Sequence, residues 1–279
     1  MPKILEKRQL TPITQLFRID APMIAAAAQP GQFIIIRVRD GGERIPLTIA
    51  DYDRDAGTVT IVVQEVGATT RQLGAHEPGE EILDMVGPLG EPADIPSGGH
   101  VIGIGGGFGA AALLCLMREL TNRGDNTTVI LGARNQELLI LVDELRAACR
   151  NLELCTDDGS VGFKGFVTQR LEQLIEGDGP GKPDHVIAIG PPVMMRAVAE
   201  LTRPHEIDTH VSMDPLMVDG TGMCGGCRVS VGGEVKFACV DGPIFDGHAV
   251  DFNEAVRRSK MYVKEEEIAA CRAKEGGYV

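Results

Sequence analysis

No stretch of the 279-residue chain approaches the ~18 consecutive apolar residues of a membrane-spanning helix. Cations are in deficit: 27 Lys and Arg stand against 40 Asp and Glu, a formal net charge of −13. That balance repels polyanions, so neither nucleic acid nor an anionic membrane surface is an expected partner. Residues Met1 to Arg8 lack the continuous apolar stretch of a secretory signal. Seven cysteines are an odd count, and three of them crowd into one glycine-rich segment. This usage speaks against a disulfide framework and for a reducing cytoplasm. Internal repeats are also missing.

Glycine, by contrast, is plentiful: 35 residues, well above ordinary usage, which predicts many tight turns or close backbone–ligand approaches. The length suffices for two ordinary domains and a smaller appendage. Up to about residue 95 the pattern is all-β. Gln32–Val38 and Gly57–Val66 are rich in Ile and Val, and the turns Asp40-Gly41-Gly42 and Asp53-Arg54-Asp55 separate such runs. Several short strands in so few residues favour a small antiparallel barrel, which leaves no exposed edges. Gly87–Pro92 and Pro96–Gly99 read as a linker.

Beyond it, strands and helices alternate. Strands are predicted at His100–Ile104, Thr128–Leu131, Leu152–Cys155 and His185–Ile189. Helices are predicted at Ala110–Leu120, Glu137–Cys149, Thr168–Ile175 and from Pro192. This alternation predicts a parallel sheet with its ligand crevice at the carboxyl ends of the strands. The remaining cysteines fall outside the glycine-rich segment. Cys115 and Cys149 fit helical core faces, Cys155 lies at a strand end, and Cys271 belongs to a charged tail whose default is a solvated helix face.

Two segments carry chemistry by their spacing. Gly103-Ile104-Gly105-Gly106-Gly107-Phe108-Gly109 joins a predicted strand to a predicted helix, where glycines let backbone N–H groups approach a pyrophosphate. The strict dinucleotide fingerprint is not met, because Gly132-Ala133-Arg134 stands where an acid would end the second strand. The second segment places Cys224, Cys227 and Cys239 at the spacing of the last three ligands of a plant-type [2Fe–2S] cluster, with Asp219 where the first cysteine belongs. Zinc is an alternative, with His248 as a fourth ligand, although a second Cys-x2-Cys or Cys/His pair at matching spacing is missing. Free structural cysteines are another, opposed by the glycines of the Gly220–Cys227 loop, which would turn N–H groups toward cluster sulfurs.

Arg44-Ile45-Pro46-Leu47-Thr48, Gly105–Gly109 and Gly190-Pro191-Pro192 together resemble the ferredoxin–NADP reductase family. Pro46-Leu47 departs from the aromatic of that family's flavin motif, and Ile189 stands where many members have Cys. With Asp157-Asp158-Gly159-Ser160 and Asp219-x4-Cys224-x2-Cys227-x11-Cys239, the chain resembles the branch of electron-transfer subunits related to that of dihydroorotate dehydrogenase. Within it, these stretches look most like those of the small subunits of NADH-dependent reduced ferredoxin:NADP oxidoreductases, also described as sulfide dehydrogenase subunits.

The resemblance implies a β-barrel plus α/β architecture. A flavin-binding antiparallel barrel would span residues 1–96, a parallel-sheet NAD-binding domain 97–210, a small C-terminal iron–sulfur domain 211–262, and a charged tail 263–279. It implies FAD, one [2Fe–2S] cluster and NAD(H). Arg44, Pro46, Leu47, Thr48 and Val63 would hold the flavin, and the turn carrying Gly67, Thr69 and Thr70 would donate to its pyrophosphate. Gly105, Gly106, Gly107, Gly109, Gly190 and Pro191 would face the pyridine nucleotide. Asp157 and Asp158 would repel a 2′-phosphate and accept a ribose hydroxyl, favouring NAD over NADP, with Arg134 and Lys164 as counterweights. Asp219, Cys224, Cys227 and Cys239 would ligate iron.

A hydride carries two electrons and the cluster takes one, so flavin would mediate in the order NADH, FAD, cluster, partner. No catalytic side chain is expected. The implied partner is a larger iron–sulfur flavoprotein, through which ferredoxin and NADP would be reached in an electron-bifurcating complex. The alternatives are an electron-transfer subunit of dihydroorotate dehydrogenase or of a hydrogenase or formate dehydrogenase complex, or a non-enzymatic FAD/cluster carrier or redox sensor.

Overall fold

The computed structural model describes residues 1–177, 181–262, 265 and 268. The tail from Val263 onward, with Cys271, lies outside the described residues apart from Glu265 and Ile268.

Seven antiparallel strands form the first part: β1 (Lys3–Thr11), β2 (Thr14–Asp20), β3 (Phe33–Arg37), β4 (Arg44–Thr48), β5 (Asp51–Asp53), β6 (Thr58–Gln64) and β7 (Asp84–Leu89). They make two sheets, ordered β1-β2-β6-β5 and β4-β3-β7. The chain crosses between them at a corner after β4. Ile49 still donates to the Gln32 carbonyl at 3.1 Å, while Ala50 already donates to Thr60 on β6 at 2.9 Å. Phe17, Ile19, Ile34, Ile36, Ile61 and Ile82 fill the interior. The short helices α1 (Pro22–Ala27) and α2 (Ala68–Gly74) flank the barrel. The run Phe33-Ile34-Ile35-Ile36 is apolar throughout because both faces of β3 are covered. Ile34 and Ile36 enter the barrel core, whereas Phe33 and Ile35 share a second core with Met213, Met217, Cys227 and Cys239. The segment expected to begin the linker, Gly87-Pro88-Leu89, instead completes β7, paired with β3.

The second part is a seven-stranded sheet of β8 (His100–Gly106), β9 (Asn126–Ala133), β10 (Asn151–Thr156), β11 (Phe163–Lys164), β12 (His185–Ile189), β13 (Asp208–Ser212) and β16 (Ile244–Asp246). Its order is β11-β10-β9-β8-β12-β13-β16, parallel except for the last pair. Helices α3 (Ala110–Asn122) and α4 (Val142–Ala148) pack with one core, and α5 (Val167–Ile175) and α6 (Pro192–Thr202) with the other. On α5, Val167, Leu171 and Leu174 recur at helical spacing and are buried. Each such side chain stabilises the packing by about 1.5–3 kcal/mol. Residues Ala110 to Met117 of α3 are all buried because the helix lies between sheet and barrel. There the Cys115 N–H donates to Ala50 and Arg118 Nη1 donates to Asp51 Oδ2 at 2.7 Å.

The helix expected over Glu137–Cys149 is broken. A 3-10 turn, Gln136–Leu138, is followed by an extended Leu139 and by Leu141 with φ 56, so α4 starts only at Val142. The hairpin β14 (Arg228–Val231) and β15 (Glu234–Phe237), with α7 (Phe252–Arg258), completes the fold. Between β13 and β14 runs the cysteine loop.

Candidate functional site

The carboxyl ends of β8, β9, β10, β12 and β13 meet the barrel around a cavity of about 980 Å³. This is the upper end of ordinary ligand pockets. Of the residues singled out in the sequence, Pro46, Leu47 and Thr48 line its barrel side. Gly106, Gly107, Gly109, Arg134, Asp157, Gly190 and Pro191 line its sheet side. Ser212, Met213, Asp214, Pro215 and Met217 form a further wall, which runs directly into the cysteine loop.

Glycine serves different purposes along the β8 loop. Gly107 has φ +54 and nothing within 4 Å of where a Cβ would sit, so it is open to a ligand. A Cβ on Gly109 would collide with the Ile189 carbonyl, and one on Gly105 would press on Leu113 and Leu131. Those two positions therefore serve backbone and helix packing, and Gly105 does not reach the cavity.

Val63 does not line the cavity either. Strand alternation gives Gln64 the cavity face and turns the fully buried Val63 into the barrel core. Gly67, Thr69 and Thr70 open α2 beyond the cavity wall. There the Gly67 N–H donates to Thr70 Oγ1 at 2.9 Å and Thr69 Oγ1 donates to Glu43. Arg44 is not among the lining residues: its Nε donates to the Val218 carbonyl at 3.0 Å and Nη1 lies 3.6 Å from Asp84.

At the β9–β10 end, Asp157 and Asp158 are tied to Ala133 and Arg134 by backbone hydrogen bonds of 3.1 and 3.2 Å. The Ser160 hydroxyl and then its N–H hold the exposed Asp158 carboxyl below the ordinary carboxylate value. Lys164 packs its stem over Gly159.

Two residues of this site went unread in the sequence. The chain has no Trp, three Tyr and eight Phe. Of the eight, Phe108 and Phe166 are exposed, and both line this cavity. Phe166 is 61% exposed and sits where the Gly165 N–H donates to Thr156 at 3.0 Å, next to Asp157. The signal available was an aromatic beside a glycine at a helix start, in a chain poor in aromatics.

The four candidate ligands, Asp219, Cys224 and Cys227 in the cysteine loop and Cys239 just after β15, form two pairs. Cys224 Sγ lies 3.3 Å from Asp219 Oδ1, and Cys227 Sγ lies 3.2 Å from Cys239 Sγ. Cys227 and Cys239 are buried, whereas Cys224 is exposed. Burial and then the neighbouring Cys227 push the Cys239 thiol up to about 12. Around Asp219, partial desolvation works upward, but hydrogen bonds from the Cys224, Thr221 and Met223 N–H groups outweigh it and hold the carboxyl at about 2.

Among the described residues, no three His, Cys, Asp or Glu converge on one metal ion. His248, the candidate fourth zinc ligand, is instead engaged by Thr202 Oγ1 at 3.0 Å. Two pairs of candidate donors fit a two-iron centre, which needs two protein ligands on each iron, better than a single tetrahedral ion. The remaining described cysteines, 115, 149 and 155, are buried, and burial raises their thiols to about 12, 11 and 12. They have the environment of structural residues rather than of reactive thiols.

Comparison with known proteins agrees with this geometry. The family model for the iron–sulfur cluster binding domain of dihydroorotate dehydrogenase B matches residues 214–251, and that for an oxidoreductase NAD-binding domain matches 104–200. The chain is 45% identical to the dihydroorotate dehydrogenase B (NAD(+)) electron transfer subunit homolog of Thermotoga maritima, over 91% of this chain and 88% of that one. It is 49% identical to an uncharacterised protein from the adh 3′ region of Clostridium beijerinckii, over 99% and 95% of the two chains. A chain in the structure of the NADH-dependent reduced ferredoxin-NADP oxidoreductase, studied for flavin-based electron bifurcation, superposes with a TM-score of 0.91. That chain is 41% identical, with 98% of this chain and 97% of that one covered. The chain therefore belongs to the dihydroorotate dehydrogenase B family of electron-transfer subunits, oxidoreductase components that join an NAD-binding domain to an iron–sulfur domain.

Proposed function

We propose that the chain is a cytoplasmic FAD- and [2Fe–2S]-containing subunit that exchanges a hydride with NAD(H) and passes single electrons through its cluster to or from a larger iron–sulfur flavoprotein. Residues 1–96 would seat the flavin, 97–210 the pyridine nucleotide and 211–262 the cluster. One observation carries the reading: the cavity wall continues into the cysteine loop, with Met217 on the wall two residues before Asp219. Pro46 on the cavity wall is the register partner of Ile35, and a Cβ on Gly220 would run into Ile35 Cδ1 at 2.5 Å. Gly220 itself adjoins Asp219.

When bound, the three cofactors supply hydride exchange, the conversion between two-electron and one-electron steps, and one-electron exit. The chain's own residues bind and orient. Pro46, Leu47 and Thr48 give the flavin an apolar wall with one hydroxyl, and the open Gly107 loop admits a pyrophosphate. Asp157 on the cavity wall, with the neighbouring Asp158, would accept a ribose hydroxyl and repel a 2′-phosphate. Phe166 offers a flat apolar face for a base. Asp219 with Cys224, and Cys227 with Cys239, would take one iron each.

Leu216, Val218, Met223 and Val240 are exposed around this loop, Met223 by 88%. An apolar rim of this kind suits the docking of a partner subunit over the exposed Cys224 side. The structure similar over nearly the whole chain is of a ferredoxin-NADP oxidoreductase. This favours a partner through which ferredoxin and NADP are reached in an electron-bifurcating complex. A second reading, electron transfer for a dihydroorotate-oxidising partner, is supported by the Thermotoga maritima relative's designation. Anaerobic purification with a tag on this chain tests both. Bound FAD, iron and sulfide, bleaching of the flavin by NADH, and a co-purifying iron–sulfur flavoprotein support the proposal. A dihydroorotate-oxidising partner supports the second reading. A chain without flavin or unresponsive to NADH would sink both.

A further inference from the structure

The turn between Cys224 and Cys227 carries two cations that the electron path proposed above does not use. Arg228 Nη1 donates to the Gly225 carbonyl at 2.9 Å, and Arg258 Nη2, from the last turn of α7, donates to the Gly226 carbonyl at 2.8 Å. The Gly226 N–H in turn donates to Cys224 Sγ at 3.4 Å. The Gly225 carbonyl and the Gly226 N–H belong to one planar peptide group, so Arg228 sits at its oxygen end and the Cys224 sulfur at its hydrogen end. The Gly226 carbonyl likewise shares its peptide group with the Cys227 N–H. Among the described residues neither guanidinium is ion-paired, in a chain whose net charge is −13. Arg44, which holds the Val218 carbonyl of the same loop, differs in this, with Asp84 3.6 Å away. Arg258 is half-buried, and its Nε is buried without a hydrogen-bond partner among the described residues, a placement that costs stability.

We propose that Arg228 and Arg258 are positioning residues that set the potential of the cluster, by polarising the two peptide groups of the Cys224–Cys227 turn and holding two positive charges against it. This rests on the cluster reading above. A core of two ferric ions and two sulfides held by three thiolates is already anionic, and one added electron makes it more so. A fixed cation nearby therefore favours the reduced state. A carbonyl that accepts from a guanidinium is polarised, and the N–H of the same peptide group becomes a stronger donor. At Gly226 that donor reaches sulfur, where hydrogen bonding draws electron density off the thiolate and raises the potential further. Mere loosening of the loop acts in the opposite direction, because water admitted to an anionic cluster favours its more highly charged, reduced form. The sign of the shift on substitution therefore separates a role in setting the potential from a purely structural one.

The test uses the full chain, purified anaerobically with its cofactors, as wild type and with R228Q, R258Q, R228K or R258K. An EPR-monitored redox titration reads the cluster, and absorbance in the same titration reads the flavin as an internal control. At the potential where half of the wild-type cluster is reduced, the ratio of reduced to oxidised cluster is expected to fall at least about fivefold in each glutamine variant, a downward shift of about 40 mV for a one-electron couple. The lysine variants keep the charge and are expected to stay within about twofold of wild type. The flavin, seated in another part of the chain, is expected to stay within about twofold in every variant. A cluster ratio within about twofold of wild type in both glutamine variants, or a rise in either, would overturn the proposal. A fall in one glutamine variant alone overturns the role of the other arginine. If a glutamine variant does not fold or takes up no cluster, the lysine variant at that position decides: a ratio near wild type supports the role of the charge, and a fall of about fivefold overturns it. A wild-type chain that binds NADH and flavin but takes up no iron is recognised before any substitution, and overturns the cluster reading together with this inference.

Discussion

Replacing Phe166 by alanine separates binding from folding more cleanly than any other change at the cavity. The side chain is 61% exposed, so its removal leaves no hole in the core. Its backbone role at the start of α5, where its N–H donates to Gln169 Oε1 at 2.9 Å, survives in alanine. A base stacked on an aromatic ring gains about 1–3 kcal/mol, so loss of the ring is expected to weaken NADH binding by about 5- to 150-fold. The ring stands at the β9–β10 end of the sheet with Arg134 and Asp157, away from Pro46–Thr48 where hydride would be exchanged. The rate of flavin reduction at saturating NADH should then stay near wild type while the apparent dissociation constant rises. Anaerobic stopped-flow measurement of flavin bleaching against NADH concentration reads both quantities, and a thermal melt should show a change under about 2 °C. A dissociation constant within twofold of wild type would refute the assignment of this end of the cavity to the adenine.

Three further outcomes follow from the same geometry. Gly109→Ala forces a Cβ onto the Ile189 carbonyl. It should cost about 1–3 kcal/mol, or about 5 °C in Tm, with nucleotide binding lost through displacement of the loop. On the proposed reading Asp157→Ser should narrow the preference for NADH over NADPH by about tenfold, since it removes the carboxylate assigned there to repel a 2′-phosphate. Parallel titrations with the two nucleotides would show it, and an unchanged ratio would count against that role. Acid should destabilise the fold through His100, His210 and His248, whose pKa values are all lowered, chiefly by burial. The unfolded chain binds protons at these sites near pH 6.5 while the folded chain resists them. Their contribution is therefore complete above about pH 6.5 and is lost as pH falls from there through the lowered folded values. Melts between pH 7.5 and 5.5 should show a falling Tm, and the fall should lessen in His210→Gln.

Much of the fold was legible because its signals were local. Strand runs such as His185–Ile189 and helices such as Thr168–Ile175 lie within a residue or two of their observed bounds, since apolar periodicity and glycine punctuation agree there. The helix expected over Glu137–Cys149 failed because Leu138 and Ile140 are drawn to the cavity and Ile140 and Leu141 are buried. Tertiary demand thus broke a stretch whose composition suits a helix. Gly87-Pro88 looked like a linker by composition but lies on an edge strand, where a proline is tolerated. Among the expected site residues, Gly106, Gly107, Gly190 and Pro191 line the cavity, as glycine and proline placement suggested. The surroundings of Arg44 were not legible. A sequence shows that a cation is present but not that its side chain reaches the Val218 carbonyl, 174 residues away. Phe166 was missed for a related reason, since nothing in its neighbours says that the ring is left uncovered.

The central claim is that reducing equivalents entering at the cavity reach the cysteine loop within this one chain. The most direct measurement adds NADH anaerobically to the purified subunit and freezes samples at intervals for EPR. The account predicts bleaching of the flavin followed by the spin-half signal of a reduced two-iron cluster, with the signal lost in Cys227→Ser. Flavin bleaching with a full complement of iron and no such signal, at any time or potential reached by NADH, would contradict it.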